Sequence, residues 1–240
     1  MTKYNSLVSS RSVDLKEQID LLTLSYEEDV KVFSQLNWLN KLSLNDYLMK
    51  KGFKSIAIRI KKQSNQNVKI IDLGCGDGKY LYDISSFLKK KGIQSTCLGF
   101  DFNDHLIRKA TENYYSEDFR FIAADILSPD FELPECDVLF SSQFIYRFSD
   151  SKFLTFMENN VSKIRLALLF TELERSSINQ KAFKLLGKVL GLHPVLVEDG
   201  CTAIERAWKS KEMHRLLEQM NFSHLNVNTM FHRFSILAFC

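Results

Sequence analysis

The sequence has no long hydrophobic run and carries little net charge. No stretch approaches the roughly 20 consecutive apolar residues that span a bilayer, and the opening residues MTKYNSLVSSRSVDLKEQID lack the apolar core of a signal peptide. The net charge is only +3 in 240 residues, so composition gives no sign of a strongly basic nucleic-acid surface. We therefore expect a cytoplasmic protein with no membrane span and no nucleic-acid partner.

Closely spaced cysteines are also absent. The five cysteines lie far apart and form no C-x-x-C pair; they are Cys75, Cys97, Cys136, Cys201 and Cys240. Isolated cysteines of this kind are typical of free thiols in a reducing compartment, and not of a disulfide framework or a zinc site. The sequence predicts buried free thiols and no bound metal.

Hydrophobic periodicity predicts an α/β fold. From residue 68 onward, short β-branched segments such as VKIIDLG and STCLGFD alternate with helical segments such as KYLYDISSFLKKKG. Strands separated by helices form a parallel sheet that is covered on both faces. The last two strands, FSHLNVNTM and RFSILAFC, are joined by too few residues for a parallel crossover, so they must form an antiparallel hairpin. A serine cap is expected at the start of the preceding helix, SKEMHRLLEQMN.

Helices are also predicted before the first strand. Between residues 14 and 60, apolar residues recur at helical spacing, beginning with Leu21, Leu22 and Leu24, which predicts two or three helices. We assign residues 1–64 to a helical lid and 65–240 to the α/β domain, with an insert at 174–209. The aromatic residues of the lid either cover a site or serve as ordinary packing; they are Tyr26, Phe33, Trp38, Tyr47 and Phe53.

Three glycines at alternate positions follow the first strand in IIDLGCGDGKYL, residues 70–81. Ligands of parallel α/β sheets bind at the carboxyl ends of the strands, and Gly74, Gly76 and Gly78 allow positive φ and close approach to the main chain. The loop lacks the G-x-x-x-x-G-K-[ST] pattern of a phosphate-binding Walker loop and differs from the dinucleotide pattern G-x-G-x-x-G. The carboxylate of Asp72 would also repel a pyrophosphate. The loop therefore favours a ligand that carries positive charge.

Two further acids end the next two strands. Asp101 follows the second strand, where a ribose would need a hydroxyl acceptor, and Asp125 follows the third, where an exocyclic amine could be bound. Either residue alone could be a helix N-cap. Acids at three successive strand ends favour a nucleoside ligand instead.

These segments resemble the class I S-adenosylmethionine-dependent methyltransferases. The motifs VKIIDLGCGDGKYL, CLGFDFNDHLIRKA, FRFIAADIL and CDVLFSSQFIYRF carry the resemblance, in this order, within residues 68–178. Residues 166–217 are similar to small-molecule methyltransferases of the ubiquinone/menaquinone-methylase-like type. The resemblance implies a Rossmann-like seven-stranded sheet, mostly parallel with an antiparallel C-terminal hairpin. It also implies S-adenosylmethionine as the cofactor and S-adenosylhomocysteine as the product.

The resemblance further implies roles for residues at the strand ends. Asp72 would lie near the cofactor's ammonium group, Asp101 would bind the ribose hydroxyls, and Phe102 would pack against adenine. The other implied cofactor-binding residues are Gly74, Cys75, Gly76 and Gly78 in the loop, Asp125 and Ile126 at the adenine edge, and Ser141 and Ser142 beside the methionine part.

Methyl transfer from a sulfonium needs alignment more than acid–base chemistry. A base is needed chiefly when the acceptor is a hydroxyl or a phenol that must lose its proton. The residues predicted to contact the acceptor follow the fourth and fifth strands or lie in the insert; they are Phe144, Tyr146, Glu172 and Arg206. His193 is the predicted base because histidine exchanges protons near neutral pH, with a loop or cap role as the simpler alternative.

The predicted function is methyl transfer to a small, hydrophobic or aromatic, polyketide-like acceptor at oxygen or carbon, by a monomer or homodimer. The alternatives are a methyltransferase for RNA or protein, a non-catalytic S-adenosylmethionine-binding partner protein and, more distantly, a nicotinamide oxidoreductase. The fourth strand ends in SSQF and lacks the (D/N)-P-P-(Y/F) turn of nucleic-acid amino methyltransferases, and no basic module is appended. The intact glycines and acids argue against a loss of cofactor binding.

Overall fold

A seven-stranded sheet runs through the centre of the protein. The computed structural model describes residues 11–17, 25–42, 44–63 and 67–240. The strands are β1 (Asn67–Leu73), β2 (Gln94–Asp101), β3 (Phe119–Ala123), β4 (Cys136–Ser142), β5 (Ile164–Leu173), β6 (His224–Met230) and β7 (Arg233–Phe239).

The strand order is β3-β2-β1-β4-β5-β7-β6. Strands β1 to β5 are parallel to one another, whereas β7 is antiparallel to both β5 and β6. The predicted fold class, including the antiparallel C-terminal hairpin, is confirmed. The order of the strands reverses between β1 and β4, which is where open α/β sheets form a ligand-binding crevice.

Helices cover both faces of this sheet. They are α1 (Tyr26–Leu42), α2 (Asn45–Lys61), α3 (Lys79–Lys89), α4 (Asp104–Asn113), α5 (Asp150–Asn160), α6 (Ser177–Val189), α7 (Pro194–Arg206) and α8 (Ser210–Leu217), with short 3-10 turns at Ile145–Arg147 and Val161–Lys163. Within the described ranges, no helix is both long enough and apolar enough to cross a bilayer.

The sheet has a hydrophobic core on each face because its parallel strands are buried on both sides. Ile70 and Ile71 of β1 are both fully buried and point to opposite faces. Ile70 belongs to the core that includes Phe53 of α2, and Ile71 belongs to the core that includes Phe153 of α5 and Trp208. A continuous apolar run is therefore required in β1, as its sequence indicates.

Two of the helices expected before the first strand are α1 and α2. Leu21, Leu22 and Leu24, where the predicted helical pattern begins, lie outside the described residues. Phe53 packs against Phe140 of β4 with ring centroids 5.4 Å apart, so this aromatic residue serves the core. Trp38 is 45% exposed, and core packing therefore does not explain it.

Two predicted element ends differ from the structure. The segment CDVLFSSQFIY predicts a strand from residue 136 to residue 146, but β4 ends at Ser142 because Gln143 adopts a φ of 55° and turns the chain. Ser210 does not cap α8. Its backbone N–H and its hydroxyl both donate to the carboxylate of Glu174, so this serine joins the helix to the segment after β5.

The cysteines are free thiols, but not all of them are buried. Cys75, Cys97 and Cys136 are buried, whereas Cys201 is partly exposed and Cys240 is exposed. Cys240 follows the end of β7, where the chain leaves the sheet. The prediction of buried thiols is therefore wrong for these two residues.

Candidate functional site

A cavity of about 400 Å³ lies at the carboxyl edge of the parallel strands. Its floor is formed by the segments after β1, β2 and β4, and helices α1, α6 and α7 cover it. Eight predicted site residues line it: Gly74, Cys75, Gly76, Asp101, Phe102, Ser142, Phe144 and Tyr146. Eight others are not among the lining residues: Asp72, Gly78, Asp125, Ile126, Ser141, Glu172, His193 and Arg206.

The glycine loop is shaped by the side chains that pack on it. Gly74, Gly76 and Gly78 have φ values of 73°, 54° and 75°. A Cβ on Gly74 would lie 2.5 Å from Cβ of Phe144, and one on Gly78 would lie 2.7 Å from the ring of Phe121. A Cβ on Gly76 would have its nearest neighbour 3.6 Å away. Gly76 therefore presents bare backbone to the cavity, while the other two glycines make room for aromatic rings.

Three carboxylates surround this loop: Asp72, Asp77 and Asp101. Asp101 accepts hydrogen bonds from the backbone N–H groups of Gly76, at 2.9 Å, and Asn103, at 3.0 Å. Asp72 is buried, and its Oδ1 has no hydrogen-bond partner among the described residues. Burial and the charge of Asp101 raise the pKa of Asp72 well above its usual value. A bound cation would favour ionised carboxylates here, since opposite charge stabilises the charged form.

The helix-cap alternative for the strand-end acids does not apply. Asn103 is the N-cap of α4, and its Oδ1 accepts hydrogen bonds from two backbone N–H groups of the first turn. Asp125 accepts a hydrogen bond from the backbone N–H of Leu127, at 2.9 Å, in a loop that leads to β4. Asp125 is exposed, and Ile126 is buried in the core. The structure brings Asp101 to the cavity and leaves these two residues outside its lining.

The two serines at the end of β4 support the floor. Ser141 donates to the backbone carbonyl of Leu73, at 2.8 Å, and so fastens β4 to the end of β1. The hydroxyl of Ser142 accepts from Nδ2 of Asn45, at 2.9 Å, and from the hydroxyl of Thr171, at 3.1 Å. Only the second serine of this pair reaches the cavity.

Glu172 holds the loop after β4 in place. Its Oε1 accepts hydrogen bonds from the backbone N–H groups of Phe144 and Ile145, both at 3.0 Å. The side chain is buried, and burial raises the pKa of Glu172 to about 8. Phe144 faces the cavity above this carboxyl group. Glu172 therefore contacts the loop from below, in contrast to the predicted contact with the acceptor.

A polar cluster lies at another part of the cavity wall, around Tyr146. Glu17 accepts a hydrogen bond from Tyr146 and forms ion pairs with Arg147 and, at 3.5 Å, with Arg206. Burial, followed by the charge of Glu17, raises the pKa of Tyr146 well above its usual value, so its phenol remains protonated. The guanidinium of Arg206 lies 5.7 Å from the centroid of the Tyr146 ring. Arg206 is therefore not among the lining residues, but it contacts two residues that are, Tyr146 and Glu17.

Arg11 fastens the N-terminal segment that carries Glu17. Its guanidinium donates to three backbone carbonyls and to the carboxylate of Asp150, and it lies 3.6 Å from the ring centroid of Trp208. A buried guanidinium with several acceptors fixes the chain around it. Residues 11–17 therefore form a strap beside the cavity, which local sequence patterns did not indicate.

The histidine that lines the cavity is His232. Burial, together with the charge of Arg233, lowers the pKa of His232, which keeps its imidazole neutral at neutral pH. His193 instead stands just before α7, where its backbone N–H donates to Oε1 of Gln35 at 2.8 Å. Because β7 runs antiparallel to β5, the turn before β7 returns to the carboxyl edge of the sheet. The predicted hairpin was the signal that could have identified His232.

Three polar side chains from distant segments meet at the cavity: Asn40, Gln143 and Arg233. Oδ1 of Asn40 accepts hydrogen bonds from Nε2 of Gln143, at 2.6 Å, and from Nη2 of Arg233, at 3.1 Å. Gln143 holds a left-handed backbone conformation that is uncommon outside glycine. No motif in the sequence connects these residues, because the three segments meet only in the folded chain.

Residues 64–221 match the family model described as a methyltransferase domain. This match covers most of the chain. The chain belongs to the methyltransferase-domain family. The predicted membership of a methyltransferase family is therefore confirmed.

The chain is similar to a sterol methyltransferase and to two solved methyltransferase structures. It is 26% identical over 132 residues to sterol 24-C-methyltransferase of Debaryomyces hansenii. The aligned region covers 50% of this chain and 33% of that protein. The chain thus aligns with about a third of the length of that relative.

Two solved structures share the fold. The plantazolicin methyltransferase BpumL in complex with SAH has a TM-score of 0.65 at 16% identity, over 87% of this chain and 89% of that one. Human N-acetylserotonin methyltransferase in complex with SAM has a TM-score of 0.60 at 15% identity, over 90% and 56% of the two chains. These likenesses agree with the predicted Rossmann-like fold.

Proposed function

We propose that this protein transfers the methyl group of S-adenosylmethionine to a small, mostly apolar acceptor, at oxygen or carbon. The observation that carries the proposal is the division of a single cavity into an acidic floor at the strand ends and an apolar cover of helices. The family match supports the choice of donor, and so do the two similar solved structures, one of which holds SAM and the other SAH.

The residues of the floor fit the donor. A sulfonium nucleoside carries positive charge, and the carboxylate of Asp101 accepts a hydrogen bond from the bare backbone of Gly76 at the cavity. Asp72, buried beneath this loop, has an Oδ1 without a hydrogen-bond partner among the described residues. Phe102 lines the cavity and is 46% exposed, so its ring can pack against an adenine. When bound, the donor supplies a methyl group that is already activated. What the protein then has to provide is alignment and exclusion of water.

The cover fits an apolar acceptor. Its apolar side chains come from α1 and from the insert, and include Val32, Leu36, Leu39, Phe183, Leu186 and Ile204. The cavity volume, about 400 Å³, is near the lower end of the range for ligand pockets, which favours a small acceptor over a macromolecule. The three similar proteins are named for a sterol, for plantazolicin and for N-acetylserotonin, which supports an acceptor of this class.

His232 is the base that we propose for an acceptor hydroxyl. It lines the cavity with its pKa lowered, so a neutral imidazole is available to accept a proton. His232→Gln should lower kcat by about 10²- to 10⁴-fold for a hydroxyl acceptor and leave affinity for S-adenosylhomocysteine unchanged. His193→Gln, at the position predicted from the sequence, is the matched control and should retain activity. The reverse pattern would restore His193 as the base.

Two measurements test the proposed function. Calorimetry with S-adenosylhomocysteine should give a micromolar or tighter dissociation constant, and Asp101→Asn should weaken it. If S-adenosylhomocysteine does not bind at millimolar concentration, the proposed function is contradicted and no methyl transfer by this protein is expected. Incubation with methyl-deuterated S-adenosylmethionine should then label small apolar acceptors, as detected by mass spectrometry. Labelling of total RNA or of protein, with none of the small acceptors modified, would establish the macromolecular alternative instead.

A further inference from the structure

Arg233 is a buried cation in the cavity wall with few partners. It is only 4% exposed, yet it lines the cavity at the first residue of β7. Its Nη2 donates to Asn40, while Nε and Nη1 have no hydrogen-bond partner among the described residues. A guanidinium has five N–H donors, and a buried donor without an acceptor is costly. The site therefore holds unused donors that a ligand could satisfy.

Two carboxyl groups, those of Glu172 and Asp46, act electrostatically on this charge and partly offset the effect of burial on the pKa of Arg233, but neither forms an ion pair with it among the described residues. Arg233 takes part in none of the ion pairs that the described residues form. Burial lowers the pKa of Arg233 to about 10, so the side chain stays charged at neutral pH. Burial also raises the pKa of its neighbour Glu172 to about 8, so that carboxyl group is mostly protonated there. A buried guanidinium with no direct ion-pair partner and with unused donors is suited to bind an anionic group of a ligand.

The surrounding side chains hold the guanidinium at the cavity. Asn40 receives hydrogen bonds from both Arg233 and Gln143, which ties α1, the end of β4 and the start of β7 together. Tyr80, in the first turn of α3 after the glycine loop, also lies at the cavity, and so does His232. The guanidinium therefore lies between the floor of the cavity and the region around His232, the proposed base.

We propose that Arg233, positioned by Asn40 and Gln143, forms a subsite that binds a carboxylate of a ligand in the cavity. A guanidinium suits this group because it can bind both carboxylate oxygens. The proposal rests on the proposed function for its two sources of carboxylate, which are the methionine part of the methyl donor and the acceptor. A carboxylate from either source would bind the guanidinium in the same way. Titrations with S-adenosylhomocysteine and with 5′-methylthioadenosine distinguish the two sources, because only the first carries the amino-acid part.

The test compares Arg233→Met with the wild-type protein by calorimetry. If the donor supplies the carboxylate, the variant should bind S-adenosylhomocysteine about 10- to 100-fold more weakly. It should bind 5′-methylthioadenosine, which lacks the amino-acid part, as the wild type does. Arg233→Lys should give an intermediate loss, because it keeps the charge without the planar fork.

If the acceptor supplies the carboxylate, both nucleosides should bind the variant normally. Wild-type protein loaded with S-adenosylhomocysteine should then bind octanoate more tightly than octanamide, and Arg233→Met should abolish that preference. Unchanged binding of S-adenosylhomocysteine, 5′-methylthioadenosine and octanoate in the variant would overturn the proposal.

Two controls make these results specific. Arg165→Met removes an arginine that is exposed near the start of β5, and it should match the wild type in every titration. If Arg233→Met does not fold, as judged by circular dichroism, the Arg233→Lys variant provides the same comparison. Failure of the wild type to bind either nucleoside would refute the proposed function alone, because the octanoate titration without nucleoside still tests the subsite.

Discussion

Replacing Glu172 by glutamine is expected to stabilise the protein, and by a larger amount as the pH rises. In the structure, Oε1 of Glu172 accepts two backbone hydrogen bonds from the loop after β4, and Oε2 has no partner. A glutamine carbonyl can accept the same two hydrogen bonds. The substitution therefore preserves the support of the loop and removes a buried group that can ionise.

The size of the effect follows from the pKa of Glu172, which burial raises from 4.5 to about 8. Above pH 4.5 the unfolded chain releases this proton, whereas the folded protein keeps it until about pH 8. The wild-type free energy of unfolding therefore falls by about 1.36 kcal/mol per pH unit in this window through this group. The advantage of Glu172→Gln should approach about 3 kcal/mol at pH 7 and about 5 kcal/mol above pH 8.

Urea unfolding between pH 6 and pH 9, followed by tryptophan fluorescence, measures this difference. Other groups also titrate with pH, so the informative quantity is the gap between wild type and variant at each pH. Glu117→Gln, at an exposed position, is the matched control and should show no growing gap. A gap for Glu172→Gln that stays constant with pH would refute the assignment of a buried, protonated carboxyl group.

Two further substitutions test the loop and the strap. Gly74→Ala should lower the free energy of unfolding by about 1–3 kcal/mol more than Gly92→Ala does. Both glycines have φ near 73°, so the backbone strain is similar. Only at Gly74 would the new Cβ lie 2.5 Å from another side chain. Equal thermal unfolding losses would show that the loop relaxes freely. Arg11→Ala should cost about 3–5 kcal/mol in urea unfolding, because it removes the buried guanidinium that bonds to Asp150 and to three backbone carbonyls. Arg165→Ala, which removes the two ion pairs of an exposed arginine, should change stability little; a similar loss in both variants would contradict the buried strap.

The floor of the site could be predicted because its signals are local in sequence. The glycine loop and Asp101 follow directly from strands whose apolar runs are easily recognised, and strand ends determine where ligands bind. Residues such as Asn40 and Arg233 lie 193 positions apart and meet through one hydrogen bond. Nothing local marks such a pair, since the contact depends on how the N-terminal helix packs on the C-terminal hairpin.

The loop after β4 shows why the acceptor residues were harder to place. The segment SSQFIY has the composition of a strand, and residue propensity alone continues the strand through it. Tertiary contacts end it, because Glu172 captures the backbone N–H groups of Phe144 and Ile145 and Gln143 takes a positive φ. The position of Glu172 at the ligand-side end of the fifth strand predicts contact with the acceptor, but the side chain is buried and its hydrogen bonds shape the loop.

The distribution of charge in the cavity supplies an orientation for the proposed donor. Acids flank the glycine loop at the ends of β1 and β2, and Arg233 stands at the start of β7, two strands beyond β4. A donor is favoured in the one direction that brings its ribose and its ammonium group toward Asp101 and Asp72 and its carboxylate toward the arginine. In-line methyl transfer depends on this alignment more than on acid–base groups. Since Asn40 bonds to Arg233, the same interaction would hold α1 over the bound donor and so connect binding to the exclusion of water.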